Sequence, residues 1–159
     1  MTQEVQDRSA SAGICLILVI IGVVCLGFAS HNAIWRYCIE AVPALITLLL
    51  VWQRKRIGVH GATGILLVWF VVFASICMVY WKIGHGVTGM LAIPDLATFS
   101  IPQIVLTVIL AVFCLWGTVG SFFEGAGDNL GERFIGFVVF ALLQIVAFWV
   151  SMQAFIPRR

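Results

Sequence analysis

The pair with the most chemical content in this chain is Arg36 and Glu40, four residues apart in an otherwise apolar stretch. On a helix, side chains at i and i+4 lie on one face, so guanidinium and carboxylate can pair. An ionised carboxylate at the centre of a bilayer costs about 2.5–3.5 kcal/mol, so Glu40 needs a partner or a task. One reading is an interfacial ion pair that closes the end of a span, with long side chains reaching back to water. The other makes Arg36 and Glu40 a proton-coupling or anion-binding pair at the mouth of a cavity. Gln144 is the third candidate for such a site, because an amide in hydrocarbon is costly without a hydrogen-bond partner and has to point inward.

Histidines carry the remaining ligand chemistry. Imidazole titrates near neutral pH and binds metals or haem iron, so His31 and His85 open a redox reading in which they hold haem, or serve a bound quinone. Both follow their apolar runs instead of lying within them, which favours interfacial histidines without a ligand. The five cysteines, Cys15, Cys25, Cys38, Cys77 and Cys114, contain no C-x-x-C pair, so neither a disulfide framework nor a zinc site is expected. No nucleophile motif, phosphate-binding glycine loop or H-E-x-x-H occurs, and an enzyme is not expected. The main expectation is a chain without a cofactor, with haem or a metal as the alternative.

The elements that position these residues follow from composition. The chain has 159 residues, 62% of them apolar and 10% charged, and its mean hydropathy is +1.12. A water-soluble fold could not bury that much apolar surface. The length allows four to six spans of about 20 residues and leaves no room for a separate soluble domain. The expected fold is therefore all-α, a polytopic membrane helix bundle, with residues 1–159 forming a single transmembrane domain. Five transmembrane helices are expected, at about 12–30, 34–53, 61–81, 102–123 and 133–155, with four or six as alternatives. A formal charge of +2, with the basic residues at span boundaries, excludes nucleic acid as a partner.

The run Gln53-Arg54-Lys55-Arg56 sets the orientation. Short Lys/Arg-rich loops stay on the cytoplasmic side, so residues 53–60 are expected inside. Five spans then put Arg158 and Arg159 outside, against the usual bias. That conflict disappears if residues 34–53 fail to cross, or if residues 84–100 cross as a sixth span. The second is disfavoured by Gly84, Gly86, Gly89, Pro94 and Asp95. Pro43 is placed near the start of its helix, where a missing N–H is tolerated. Neither Asn32 nor Asn129 begins a glycosylation sequon, which favours a bacterial inner membrane.

Small residues recur at helical spacing on several spans. Cys15, Gly22, Cys25 and Ala29 form one such face, and Thr107, Ala111, Cys114, Thr118 and Ser121 another. Faces of this kind let helices approach closely in lipid. The short turn from Glu124 to Glu132 makes the last two spans antiparallel neighbours, pairing Ala111 with Ala147 and Thr107 with Ser151 in depth. Gln144 would then face Cys114 or Thr118. In that turn Asn129 is expected to cap the following helix, with Glu132 favoured by the helix dipole. A metal-binding or docking role for Glu124, Asp128 and Glu132 matches no cation-loop pattern.

Little chemistry and extensive small-residue faces point to a small non-catalytic subunit of an inner-membrane complex of transport or respiratory type. Its partners would be the lipid bilayer and larger membrane subunits. The alternative is a homo-oligomeric small-solute or ion transporter or channel that uses Glu40 and Arg36.

Overall fold

A computed structural model describes residues 3–29, 34–83, 101–124 and 129–155, and all of its elements are α-helices. In chain order they are α1 (Gln3–Ala29), α2 (Ile34–Trp52), α3 (Arg56–Ile83), α4 (Ile101–Glu124) and α5 (Leu130–Phe155). Each holds an apolar window of at least 18 residues, long enough at 1.5 Å per residue to cross the hydrocarbon core with little tilt. The chain is thus a five-helix membrane bundle among the described residues. Residues 34–53, the weakest span by composition, are helical from Ile34 to Trp52. Residues 84–100 lie outside the described residues.

Polar sequence extends α1 beyond its apolar window: residues 3–10 continue the helix ahead of the window that opens at Ser11, whereas the window of α3 opens with the helix itself at Arg56. Hydropathy marks where a helix meets lipid and is silent about turns that run on into water. At the other boundary, α2 closes in a Schellman arrangement: Lys55 N–H bonds Leu50 O at 3.0 Å and Arg54 N–H bonds Val51 O at 2.9 Å. Arg54 occupies the left-handed position of that motif at φ 56°, a conformation usually left to glycine. Asn129 caps α5, its Oδ1 accepting from Gly131 N–H at 3.2 Å.

The helices form a ring in the order α1, α2, α5, α3, α4, with α3 displaced inward so that it also packs on α2 and touches α1. This overturns the expected antiparallel pairing of α4 with α5. Those two helices barely meet, because α3 lies between them. Close approach explains the outcome. A methyl group added to Gly64 of α3 would collide with the Phe137 carbonyl of α5, and one on Gly61 would meet the Phe140 ring at 2.7 Å. On the other side, a methyl on Gly117 of α4 would lie 2.8 Å from both Cys15 and Leu66. Glycines on α3 and α4 thus let α3 dock against both neighbours, and a short connection does not outweigh that packing.

The core follows this arrangement. Leu16, Val19 and Val23 of α1, Ile65, Leu66, Trp69 and Phe73 of α3, and Cys114 of α4 are all buried. The close-packing face of α1 holds Cys15 and Gly22 as expected, but Cys25 is exposed, so the buried stripe runs instead through Val19, Val23 and Leu26. Outward faces carry Trp116, Phe122, Phe134, Leu142 and Trp149, the large apolar side chains that suit lipid contact.

Candidate functional site

Helix α2 carries the charged pair in its first two turns, and the helix periodicity puts Arg36 and Glu40 on one face. The Arg36 Nε–H donates to Glu40 Oε1 at 2.9 Å. Arg36 is the third residue of α2 and Glu40 the seventh. Glu40 is 2% exposed and Arg36 8%, so the pair is folded into the bundle. Helix α5, packed along α2, supplies the rest. Ser151 Oγ lies 2.6 Å from Glu40 Oε1 and 2.8 Å from Phe148 O. Of these two acceptors the carboxylate is the stronger for the single hydroxyl proton.

Two turns deeper, Gln144 Nε2 donates to the backbone carbonyl of Glu40 at 2.9 Å. This corrects the expectation that Gln144 faces Cys114 or Thr118 on α4: it points inward, but toward α2. The reason is that α5 packs on α2 and scarcely meets α4. Pro43 is the tenth residue of α2 and not part of its first turn. An interior proline removes the donor for the carbonyl four residues before it, here Ile39, and its ring pushes that turn open. Membrane helices tolerate such a break where a neighbouring helix re-satisfies the loosened backbone. Gln144 bonds the next carbonyl, that of Glu40, and not the Ile39 carbonyl that Pro43 leaves without its helical donor. Thr47 adds a bond from Oγ1 to Pro43 O at 2.8 Å.

The three candidates Arg36, Glu40 and Gln144, more than 100 residues apart in sequence at the extreme, thus converge with Ser151 on one spot between α2 and α5. His31 and His85 lie outside the described residues. The third histidine, His60, is buried near the opposite end of the bundle, 4% exposed. Among the described residues no three of His, Cys, Asp and Glu come together in a group that could hold a metal ion.

A cavity of about 210 Å³ opens beside the charged pair. Arg36, Tyr37 and Glu40 form its α2 wall, and Trp69 and Phe73 of α3 with Phe148 of α5 line much of the remainder. The rings are mutually braced: Trp69 stacks on Phe73 at 5.1 Å and meets Phe148 edge-on at 4.8 Å. Trp69 is 2% exposed, and its indole Nε1 has no hydrogen-bond partner among the described residues. A buried indole N–H usually finds one. The carbonyl Oε1 of Gln144 is likewise buried without a partner. Neither Trp69 nor Ser151 stands out in the sequence as more than a packing residue. A local signal for them is absent, because their role comes only from which helices meet.

A second cavity of about 380 Å³ lies at the other end, in the cleft that α4 and α5 leave over α3. His60, Thr63, Ser121, Phe122 and Arg133 line it. Arg133 is committed there to α4, with NH2 bonded to Phe122 O at 2.8 Å and the guanidinium 5.2 Å from the Phe122 ring centre.

No known family model, curated protein or solved structure matches the chain.

Proposed function

We propose that this chain is a small-solute transporter of the membrane bilayer, with its binding site at the Arg36–Glu40 pair. One observation carries the reading: an ion pair buried between helices forms part of the wall of a cavity. Ionisable residues inside a bundle are expensive, and where they face a cavity they commonly mark a substrate or ion path. The cavity also has the composition of a ligand site, mostly apolar with a few convergent polar groups. With the basic loop on the cytoplasmic side, the site lies in the outer half of the membrane, and the membrane is a bacterial inner membrane.

An accessory-subunit role has less support. Of the small residues that motivated it, Cys15, Gly22, Thr107, Cys114 and Ser121 are buried within this chain's own bundle, although Cys25 is exposed. Outward faces made of Leu, Ile, Val, Phe and Trp suit lipid as well as a protein partner.

The test is uptake by the purified chain in liposomes, using a pooled set of radiolabelled small metabolites of different charge. Uptake above that of empty liposomes, abolished in Glu40→Gln at unchanged folded yield, supports the site. No uptake, uptake that Glu40→Gln leaves intact, or a stoichiometric larger partner on mild purification would return the chain to the accessory class.

A further inference from the structure

Resting on that reading, we infer that residues 34–42, the N-terminal segment of α2, are the gate of the cavity beside the charged pair, hinged at Pro43 and latched to α5 through Glu40. The residues that α2 gives to the cavity wall, Arg36, Tyr37 and Glu40, all precede Pro43. A swing of this one segment therefore opens or closes the cavity, while the walls on α1, α3 and α5 stay in place. At Pro43 the helix is mechanically weak. The proline leaves the Ile39 carbonyl without its helical donor, and Thr47 bonds back to Pro43 O at 2.8 Å, a second feature that bends helices. Sharp helix bends fall mostly at proline.

The contacts on either side of the segment decide which way it swings. Two hydrogen bonds from α5 end on Glu40, three residues before the hinge: Ser151 Oγ to the carboxylate at 2.6 Å and Gln144 Nε2 to the backbone carbonyl at 2.9 Å. Interhelical hydrogen bonds in membranes are individually weak, so such a latch can be released. Toward α1 the contact is steric, and a methyl group on Gly27 would lie 3.1 Å from Tyr37. The segment thus parts from α5 and stays on α1. Its charges permit this. Arg36 and Glu40 both lie on the moving segment and remain paired at 2.9 Å as it turns, so opening strands no buried charge. Ser151, once released, keeps Phe148 O at 2.8 Å as its acceptor.

Double electron–electron resonance on the chain in lipid nanodiscs tests this, with Cys25, Cys38 and Cys77 replaced by serine. Spin labels go on cysteines introduced at exposed positions, Trp35 on the segment paired with Gln153 of α5 or with Phe28 of α1. Trp35 stands eight residues before Pro43, about 12 Å along the helix, so a bend of about 20° moves it by about 4 Å. Ser151→Ala combined with Gln144→Leu should lengthen the 35–153 distance by about that much and leave the 35–28 distance unchanged. Ser151→Ala alone, the milder variant, should populate the longer distance in part. Adding Pro43→Ala should restore the short one. No lengthening in either latch variant, equal lengthening toward α1, or lengthening that survives Pro43→Ala overturns the gate. Uptake keeps the two readings apart. Hinged movement in a chain with no Glu40-dependent uptake upholds the hinge and sinks the transport reading, whereas Glu40-dependent uptake with no movement upholds the transporter and sinks the gate.

Discussion

The buried pair makes an asymmetric prediction about stability. Replacing Arg36 by leucine leaves Glu40 at 2% exposure with only the Ser151 hydroxyl against its carboxylate. Removing one partner of a buried ion pair costs about 3–5 kcal/mol, because the remaining charge is neither solvated nor compensated. For a chain of this size that corresponds to a fall in Tm of about 6–20 °C. Replacing Glu40 by leucine should cost less. Arg36 is the third residue of α2, in its first turn, and has a long stem that can carry its charge toward water, and Ser151 can fall back on Phe148 O at 2.8 Å. In the double variant both charges vanish together, and the loss should shrink to within about 1.5 kcal/mol of wild type, as found when buried pairs are replaced by apolar side chains. The assay is thermal unfolding of all four proteins in one mild detergent, followed by monodispersity and intrinsic fluorescence, with solute binding measured in parallel. A folded double variant that no longer binds solute would separate the pair's functional role from its structural one. The reasoning fails if Arg36→Leu costs under about 1 kcal/mol, or if the double variant is as unstable as the sum of the singles, since coupled neighbours must be non-additive.

Four other substitutions follow from local geometry. Gly64→Ala should destabilise by about 1–3 kcal/mol, because the new methyl meets the Phe137 carbonyl and α3 must move off α5; Gly120→Ala, where nothing lies within 4 Å, should be neutral or gain up to about 1 kcal/mol from helix propensity. Thermal unfolding of the two side by side checks this, and equal losses would remove the argument for glycine-mediated docking. Arg54→Gly should raise stability by about 1 kcal/mol by relieving the left-handed backbone at φ 56°, and labelling of an introduced cysteine from either side should show unchanged orientation, since Lys55 and Arg56 remain. Gln144→Leu should change stability by less than about 1 kcal/mol, for it gives up one interhelical hydrogen bond but also removes the unpartnered Oε1; a larger loss in unfolding would mean that the bond to Glu40 O holds α2 against α5.

Much of this architecture is legible in the residues alone, and the limit falls at a definite place. Apolar runs locate all five helices because lipid contact is a one-dimensional property of the chain. The Arg36–Glu40 pair is legible for the same reason: it is local, set by the helical period. Gln144 had to point inward whichever helix it met, so its burial is readable and its partner is not. The partner depends on which helices are neighbours. The short α4–α5 connection suggests one answer, while Gly61, Gly64 and Gly117 enforce another by admitting α3 between them. Trp69 shows the same limit. Its place in a cavity wall depends on α2 and α5 arriving on either side of α3, and no pattern within residues 56–83 encodes that.

The site's two halves also differ in when they come into existence. Glu40 enters the membrane with the second helix, but the amide and hydroxyl that meet it are 104 and 111 residues further along the chain. At a synthesis rate of about 5–20 residues per second, the carboxylate waits roughly 5–20 s for α5. Arg36, one turn away on the same helix, is the partner available from the moment α2 forms. The local pair thus acts as an escort for a charge whose permanent surroundings have not yet been made, and it converts a late-assembled site into one that α2 can carry into lipid on its own.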